Sequence, residues 1–373
     1  MNRRHFVQLA SLATAGLRVA SAKELLQSNS DLAGWRVYEV TTKVEVLKPS
    51  GKTLIWVPAP LVTNTNFQKT VSNKWHSEGG KISKSEDKPE GLGIITAEFP
   101  TGVSPQFTIT SVVATRDWSV NLTAPGSAQK ATSEDLARFL QPTKYIPTDG
   151  IVKKKATEIT KDCHTDVEKA RAIYTWIVEN TYRNPKVRGC GLGDIRFMLE
   201  SGDLGGKCAD LNALAVGLSR AAGLPARDVY GVRTGKSNLG YKSLGASSET
   251  VTKSQHCRAE VYLTSYGWVP MDPADVRKVI LEEPPGNLPI DNDKVQAARN
   301  RLFGEWEMNW MAYNYAQDVT LPGSHQEPIR FFMYPQAETE AGRLDSLDPE
   351  NFRYEIQSRE TSPASTAPNA SPT

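Results

Sequence analysis

The sequence predicts an α+β fold, in which a β-rich N-terminal domain precedes a region that mixes helices and strands. From Trp35 to about Thr123, short runs alternate between apolar and polar residues, which is typical of antiparallel strands in a sandwich. From Ser133 onward, apolar residues recur at helical spacing, and strand-like runs return after Gly223. Because 373 residues exceed what one core usually holds, we expect more than one domain.

Composition places the chain among globular proteins and excludes several classes of function. Hydrophobic residues make up 39% and charged residues 23% of the chain, so it is neither generally disordered nor fibrous. The 44 basic and 42 acidic residues nearly cancel, and a formal net charge of +2 gives no electrostatic footprint for nucleic acid or an anionic membrane. We therefore expect no nucleic-acid partner and look for function in a local site.

Residues 1–22 resemble a signal peptide of the twin-arginine type. Arg3 and Arg4 precede a weakly apolar run, and Ala20-Ser21-Ala22 has the small residues of a cleavage site. A frayed amphipathic helix is the alternative interpretation. Arg18 interrupts the run, which is too short and too polar for a permanent anchor, and no other stretch approaches a transmembrane length. We expect a periplasmic or secreted protein with no integral membrane segment in the mature chain.

The predicted helices have boundary signals in the sequence. Ser133 is a candidate N-cap, and Thr165 with Glu168 three residues later has the pattern of a capping box. A further helix begins at Cys208, carries an apolar stripe and ends before Gly223, since glycine commonly terminates helices.

Cys208 stands at the start of that helix in the stretch "GGKCADLNALAVGLSRAAGLPARDVYGVR". The N–H groups of a first helical turn favour the thiolate, which is the nucleophilic form of cysteine. Gly205 and Gly206 leave space for a substrate to reach the sulfur. The alternative is that Cys208 is a small buried residue with a packing role only. The position at the start of a helix does not decide between a nucleophile and a packing residue.

A predicted hairpin in "SQHCRAEVYLTSYGWVPMDP" supplies a histidine. Apolar residues alternate from Cys257 to Leu263 and predict the buried face of its first strand. His256, Arg258 and Glu260 then lie on the opposite face, which must cover something polar or face solvent.

Asp272 lies on the returning strand, after a turn near Ser265-Tyr266-Gly267. An antiparallel return carries it beside the start of the first strand, within side-chain reach of His256 if the register permits, and a carboxylate there would fix the tautomer of His256 and stabilise its charged form. As an alternative, the Asp-Pro step is a turn-forming residue pair at a strand end.

The order of these blocks resembles the transglutaminase-like, papain-like superfamily. The matching stretches are the one around Cys208, "HCRAEVYL" around His256 and "GWVPMDP" around Asp272, and they cover roughly residues 165–276. The resemblance implies a core in which the cysteine-bearing helix packs on an antiparallel sheet. It also implies acyl transfer with Cys208 as nucleophile, His256 as base and Asp272 as the group that orients the imidazole.

Two further positions are candidate substrate-binding residues. Family members usually carry an aromatic residue two positions after the histidine, where this chain has Arg258. Glu260 matches an acidic position of the family motif, although a solvated strand-face carboxylate is the alternative. The backbone N–H of Cys208 is a candidate oxyanion donor, and a second donor is not assigned.

The four cysteines are too few for a disulfide scaffold in a chain of this length. A Cys163–Cys190 bridge fits an oxidising compartment. Neither Cys208 nor Cys257 belongs to a CxxC pair, so the spacing predicts no zinc site, and we expect no metal and no cofactor.

These interpretations divide the chain into five segments and predict its function. The segments are a signal peptide (1–22), a β-sandwich domain (34–124), a transglutaminase-like catalytic core (131–285), a C-terminal region that packs on the core (286–355) and a disordered tail (356–373). We expect a cysteine peptidase, amidase or transamidase that acts on a protein or peptide. A catalytically silent member that binds a peptide or polysaccharide is the alternative. The oligomeric state is not predicted.

Overall fold

The structure is a computed structural model that describes Leu32, residues 34–126 and residues 131–362. The predicted signal peptide lies outside the described residues. Within the described ranges, no helix is both long enough and apolar enough to cross a bilayer.

Short antiparallel strands dominate the N-terminal part of the chain, as the alternating pattern predicts. They are β1 (Arg36–Val46), β2 (Thr53–Ala59), β3 (Gln68–Ser77), β4 (Lys81–Asp87), β5 (Leu92–Phe99), β6 (Gln106–Thr115) and β7 (Trp118–Ser119). In the second half of β1, buried residues alternate with more exposed ones, because side chains of a strand point to opposite faces.

Helices occupy most of the next region. They are α1 (Ser133–Arg138), α2 (Gly150–Thr160), α3 (Asp166–Asn180), α4 (Ile195–Ser201), α5 (Cys208–Ala221), α6 (Pro273–Glu282) and α7 (Asp293–Arg301). The capping box of Thr165 and Glu168 at the start of α3 is confirmed. The N-cap of α1 is Thr132 and not Ser133, because the hydroxyl of Thr132 accepts the backbone N–H of Asp135.

The remaining strands fall between and after these helices. They are β8 (Tyr182–Arg183), β9 (Gly205–Gly206), β10 (Ala226–Arg233), β11 (Gln255–Leu263), β12 (Gly267–Met271), β13 (Glu305–Trp306), β14 (Trp310–Asn314), β15 (Gln317–Val319), β16 (Ile329–Phe331), β17 (Gln336–Thr339), β18 (Gly342–Arg343) and β19 (Phe352–Ser362). The predicted hairpin is confirmed as β11 and β12, which pair antiparallel with Ala259 opposite Met271.

The core of the second region is a helix on an antiparallel sheet. The sheet has the strand order β12-β11-β10-β14, and α5 packs on β10 and β11. Helices α2, α3 and α6 pack on other sides of α5, so every residue of α5 is buried. The predicted apolar stripe is therefore only one part of the buried surface of this central helix.

Two sheets form the N-terminal sandwich, with the strand orders β19-β1-β6-β3 and β18-β17-β2-β5-β4. A cluster of buried apolar side chains from both sheets fills the space between them. The fold is thus α+β, with a β-sandwich and a helix-on-sheet core, as the sequence predicts.

The C-terminal part of the chain differs from its prediction. Residues 286–355 do not pack on the core alone, because β14 joins the core sheet while β17 and β18 complete the sandwich. The predicted disordered tail is wrong for residues 356–362, because β19 continues through them as the partner of β1. Ile356 and Ser358 are buried in this strand, which gives the segment something to pack against. Residues 363–373 lie outside the described residues.

Candidate active site

Cys208 is the first residue of α5, and it is buried at 3% exposure. The carboxylate of Asp210, the third residue of the helix, binds the residue directly before Cys208 and an earlier loop. Asp210 accepts the backbone N–H of Lys207 at 2.9 Å, and its other oxygen accepts the N–H groups of Leu192 and Gly193 at 2.8 and 2.9 Å. Asp210 therefore fixes the start of the helix against the preceding loop, a role that the sequence analysis missed.

That loop brings a second thiol to the candidate nucleophile. The backbone oxygen of Cys190 accepts the N–H of Ala209 at 2.9 Å, and the Cys190 thiol donates to the backbone oxygen of Gln255 at 3.3 Å. Gly191 has a φ of +100°, and a Cβ there would lie 1.9 Å from a carboxylate oxygen of Asp210, so the approach requires glycine. All four cysteines are free, and the Cys163–Cys190 bridge considered from the sequence is absent.

His256 and Asp272 meet, although Asp272 is not on the returning strand, because β12 ends at Met271 and Asp272 is the next residue. His256 Nε2 lies 2.7 Å from Asp272 Oδ2, and both side chains are buried. The indole N–H of Trp310 donates to the backbone oxygen of His256 at 2.9 Å. Because Nε2 faces the carboxylate, Nδ1 is the ring nitrogen left for the thiol of Cys208, which lines the same cavity as His256.

Both interpretations of Asp272 describe real contacts. Asp272 is the N-cap of α6, and its Oδ1 accepts the N–H of Asp275 at 3.0 Å. The same oxygen accepts Asn212 Nδ2 at 3.2 Å, and Asn212 lies one helical turn after Cys208. The carboxylate that contacts His256 is thus held by the ends of two helices.

A second carboxylate, which the sequence analysis did not single out, completes the charge arrangement. Asp275 Oδ2 lies 3.4 Å from His256 Nε2, and both Asp275 oxygens accept Arg233 NH2 at 2.6 and 2.7 Å. The spacing D-P-A-D, with an acidic residue in the first turn of a helix, is the signal that points to it.

These neighbours shift the pKa values of the candidate pair in opposite directions. Burial lowers the pKa of His256, but Asp275 and Asp272 outweigh burial and raise it to about 9. The neighbouring thiols of Cys190 and Cys257 hold the pKa of Cys208 well below its usual value, and the imidazole of His256 adds to this effect. The arrangement favours a thiolate beside an imidazolium at neutral pH.

Cys208 and His256 line a cavity of about 460 Å³. His256, Asp272 and Asp275 also carry ligand-type atoms within 4.8 Å of one another. Their oxygens already accept hydrogen bonds from Arg233, Asn212 and a backbone N–H, which is the environment of an orienting carboxylate pair.

Comparisons with known proteins agree with this geometry. The family model of the transglutaminase-like superfamily matches residues 153–273, which contain all three candidate catalytic residues. The chain belongs to the transglutaminase-like superfamily.

Proteins similar to this transglutaminase-like chain come from several bacteria. An uncharacterised protein of Haemophilus influenzae is 34% identical over 375 residues, covering 95% of this chain and 98% of its own. The crystal structure of a candidate cysteine protease from Cytophaga hutchinsonii is similar with 16% identity and a TM-score of 0.49, over 88% of this chain and 99% of that one. The periplasmic domain of TgpA from Pseudomonas aeruginosa has 13% identity and a TM-score of 0.34, over 69% of this chain and 92% of its own.

The two predicted substrate-binding residues of the transglutaminase-like core do not line the cavity of Cys208. Arg258 is buried at 2% exposure behind Asp272, with its guanidinium 4.7 Å from the ring centroid of Trp310. It donates to the backbone oxygen of Glu307 at 3.0 Å. These contacts place Arg258 in the wall behind the site, in the position where the family usually carries an aromatic residue.

Glu260 is also buried, and it forms an ion pair with Arg227 at 2.6 Å. It faces a different cavity, of about 920 Å³. The face of β11 that carries Arg258 and Glu260 was predicted to be polar or exposed. The aromatic segment around β13 and β14 covers it instead, as the packing of Trp306 and Trp310 shows.

Proposed function

We propose that this protein is an acyl-transfer enzyme that acts on amide bonds of peptide or protein substrates. Cys208 is the nucleophile, His256 is the general acid and base, and Asp272 orients the imidazole. The observation that carries the proposal is the 2.7 Å contact between His256 and Asp272 beside a thiol at a helix N-terminus. The pKa directions of Cys208 and His256 support it, because a reactive cysteine must be deprotonated at working pH.

In the first half of the reaction, the thiolate of Cys208 attacks the carbonyl carbon of the scissile amide. A C–S bond forms, and the negative charge moves to the carbonyl oxygen, where the backbone N–H of Cys208 stabilises it. The imidazolium of His256 then gives its proton to the nitrogen of the leaving amine. Cleavage of the C–N bond leaves a thioester on Cys208.

In the second half, the neutral imidazole takes a proton from the attacking molecule. Water as the acceptor yields a carboxylic acid, and a primary amine yields a new amide. In both cases the C–S bond breaks and Cys208 leaves as a thiolate. His256 keeps the proton that it took from the attacking molecule, so the thiolate and imidazolium pair is restored. Asp272 stabilises the charged imidazole in each half without accepting its proton.

Thiol labelling followed by turnover tests this proposal. We expect iodoacetamide at near-neutral pH to modify Cys208 much faster than the other thiols, with each site quantified by peptide mass spectrometry. An activity-based probe and a peptide library on the mature protein then identify an acyl donor, and Cys208→Ala abolishes its turnover.

Cys163→Ala is the matched control, because Cys163 lies in the loop between α2 and α3 and burial raises the pKa of its thiol. This variant should retain full turnover. Equal reactivity of all four thiols, or turnover that survives Cys208→Ala, would contradict the proposal and favour a binding protein.

We also propose that the protein is exported through its N-terminal twin-arginine segment. The pair Arg3 and Arg4, followed by a weak apolar run, supports this assignment. Replacing both with lysine should retain the precursor in the cytoplasm, as measured by cell fractionation, whereas Arg18→Lys should not. Normal export of the double variant would overturn the assignment.

A further inference from the structure

The cavity that contains Cys208 has an unusual distribution of charge. Six basic residues line it, and no aspartate or glutamate of the described chain does. The whole chain is nearly balanced, with 44 basic and 42 acidic residues, so this is a local concentration of positive charge. The six residues are Arg183, Arg188, Lys207, Arg233, Lys253 and Lys278.

Four of these cations have carboxylate partners outside the cavity lining. The pairs are Arg183 with Glu282 at 2.9 Å, Arg188 with Asp345 at 2.6 Å, Arg233 with Asp275 at 2.6 Å and Lys278 with Glu282 at 3.7 Å. Lys207 and Lys253 differ from them. Among the residues that the structure describes, no carboxylate lies within 4.0 Å of either ammonium group.

Both lysines line the same cavity as Cys208 and His256, and each is close in sequence to one of these two residues. Lys207 directly precedes Cys208 and is half-buried. Lys253 is the third residue before His256 and is exposed. A cleft lined by one sign of charge attracts ligands of the opposite sign, and low-dielectric walls strengthen the effect. The cavity of Cys208 therefore carries two lysine charges that the described residues leave without a carboxylate partner, and an anionic ligand would neutralise them.

The rest of the lining identifies the kind of anion. One wall consists of apolar and aromatic side chains, which suit the carbon stems of a peptide; they are Tyr334, Leu347, Pro349, Phe352 and Tyr354. A lysine ammonium is a point charge that suits a single carboxylate, whereas the three arginines of the lining already pair with carboxylates of the chain, through Nε of Arg183, NH1 of Arg188 and NH2 of Arg233.

We propose that the substrate of this cleft is an acidic peptide, with carboxylate side chains close to the scissile amide that Lys207 and Lys253 bind. The proposal rests on the proposed function, because it names the substrate class of the same site. Lys207 and Lys253 are specificity-determining residues and take no part in the bond-making steps.

A pair of alkylating reagents measures the charge of the cleft without any substrate. Iodoacetate and iodoacetamide both lose iodide to the Cys208 thiolate as the C–S bond forms, and they differ only in a negative charge. We expect the ratio of their rates at Cys208, iodoacetate over iodoacetamide, to exceed that of a free thiol. The ratio should fall by roughly fivefold in Lys207→Gln and in Lys253→Gln, and less at high salt.

Lys154→Gln is the matched control, because Lys154 is an exposed lysine of α2 that does not line the cavity. It should leave the ratio unchanged, and Lys207→Arg should restore it. Ratios that respond no more to Lys207 and Lys253 than to Lys154 would overturn the proposal.

Peptide binding to Cys208→Ala provides the second test, since this variant cannot turn over. We compare two pools of end-blocked peptides with a randomised central pair of residues. Two glutamates flank this pair in one pool, and two glutamines flank it in the other. We expect the glutamate pool to bind roughly tenfold more tightly, and Lys207→Gln with Lys253→Gln to remove the difference.

The two proposals fail in different ways. Equal binding of both pools, with turnover of either by the wild type, overturns the acidic-peptide proposal and leaves the enzyme proposal standing. Preferential binding of the glutamate pool supports the acidic-peptide recognition, and the absence of any turnover in the same pools then counts against the enzyme proposal alone.

Discussion

Two buried clusters of charge lie on the same face of β11, and only one of them has the parts of an active site. The His256 cluster consists of His256, Asp272, Asp275 and Arg233, and the Glu260 pair consists of Glu260 and Arg227. In both, carboxylates contact cationic groups at 2.6 to 2.7 Å. Burial and charge pairing therefore do not distinguish a reactive site from a structural one.

The clusters differ in what lies next to them. The His256 cluster meets the N-terminus of α5 and the thiol of Cys208. The guanidinium of Arg227 instead lies among aromatic rings, 3.7 Å from the ring centroid of Tyr315 and 4.0 Å from that of Trp268. The Glu260 pair faces the larger cavity, but no cysteine or histidine among the described residues lines that cavity. A thiol at a helix N-terminus near an imidazole that a carboxylate holds marks the candidate active site, and cavity volume does not.

The largest expected effect separates the two roles of Asp272. Asparagine is as good an N-cap as aspartate, so Asp272→Asn should keep α6 and the fold intact. It loses the charge that stabilises imidazolium, and we expect kcat/KM to fall by about 10³-fold to 10⁴-fold. Thermal unfolding and kinetics on one preparation check this. Full activity in Asp272→Asn would reduce the mechanism to a Cys208 and His256 pair.

The opposite outcome is expected for the Glu260 pair. Glu260→Gln leaves the guanidinium of Arg227 buried without its counter-charge, which should lower the free energy of unfolding by about 3 kcal/mol. Activity per folded molecule should not change, because neither residue touches the cavity of Cys208. Denaturant unfolding with active-site titration measures both quantities. A loss of activity without a loss of stability would place Glu260 in the reaction.

The smallest expected effect is a shift of a pH profile caused by Asp275. In the wild type, kcat/KM should fall as the pH rises through about 9, because His256 loses the proton that it donates to the leaving amine. Asp275 is the largest cause that raises this pKa, so Asp275→Asn should move the alkaline limb to lower pH.

Lys278→Gln is a control for that shift, because it removes a charge in the same region while His256 keeps both carboxylates. An unchanged alkaline limb in Asp275→Asn would exclude Asp275 from the electrostatics of the imidazole.

Local patterns of the sequence predicted the elements that carry the site. The capping box of α3, the helix that begins at Cys208 and the β11–β12 hairpin each depend on signals within a few residues. The antiparallel return of the hairpin also predicted that Asp272 comes near the start of β11, but its contact with His256 depends on a register that the sequence left open.

Contacts between distant segments could not be predicted in this way. Strand β19 pairs with β1 across more than three hundred residues, with Val37 opposite Ser362, and no local pattern encodes that partner. The face of β11 that carries Arg258 was misinterpreted for the same reason, since the side chains that pack on it, Trp306 and Trp310, belong to the distant strands β13 and β14. The approach of Cys190 to Cys208 likewise depends on Asp210 holding a loop.

The central claim is that Cys208 is a thiolate paired with the imidazolium of His256 before substrate arrives. The most direct measurement is a pH titration of the thiolate ultraviolet absorbance, taken as the difference between the wild type and Cys208→Ala, together with an NMR titration of His256. The account predicts that the thiolate of Cys208 forms well below the usual cysteine pKa, while His256 keeps its proton to a pH of about 9. A thiolate that appears only at the usual cysteine pKa, beside a histidine that has already lost its proton, would contradict it.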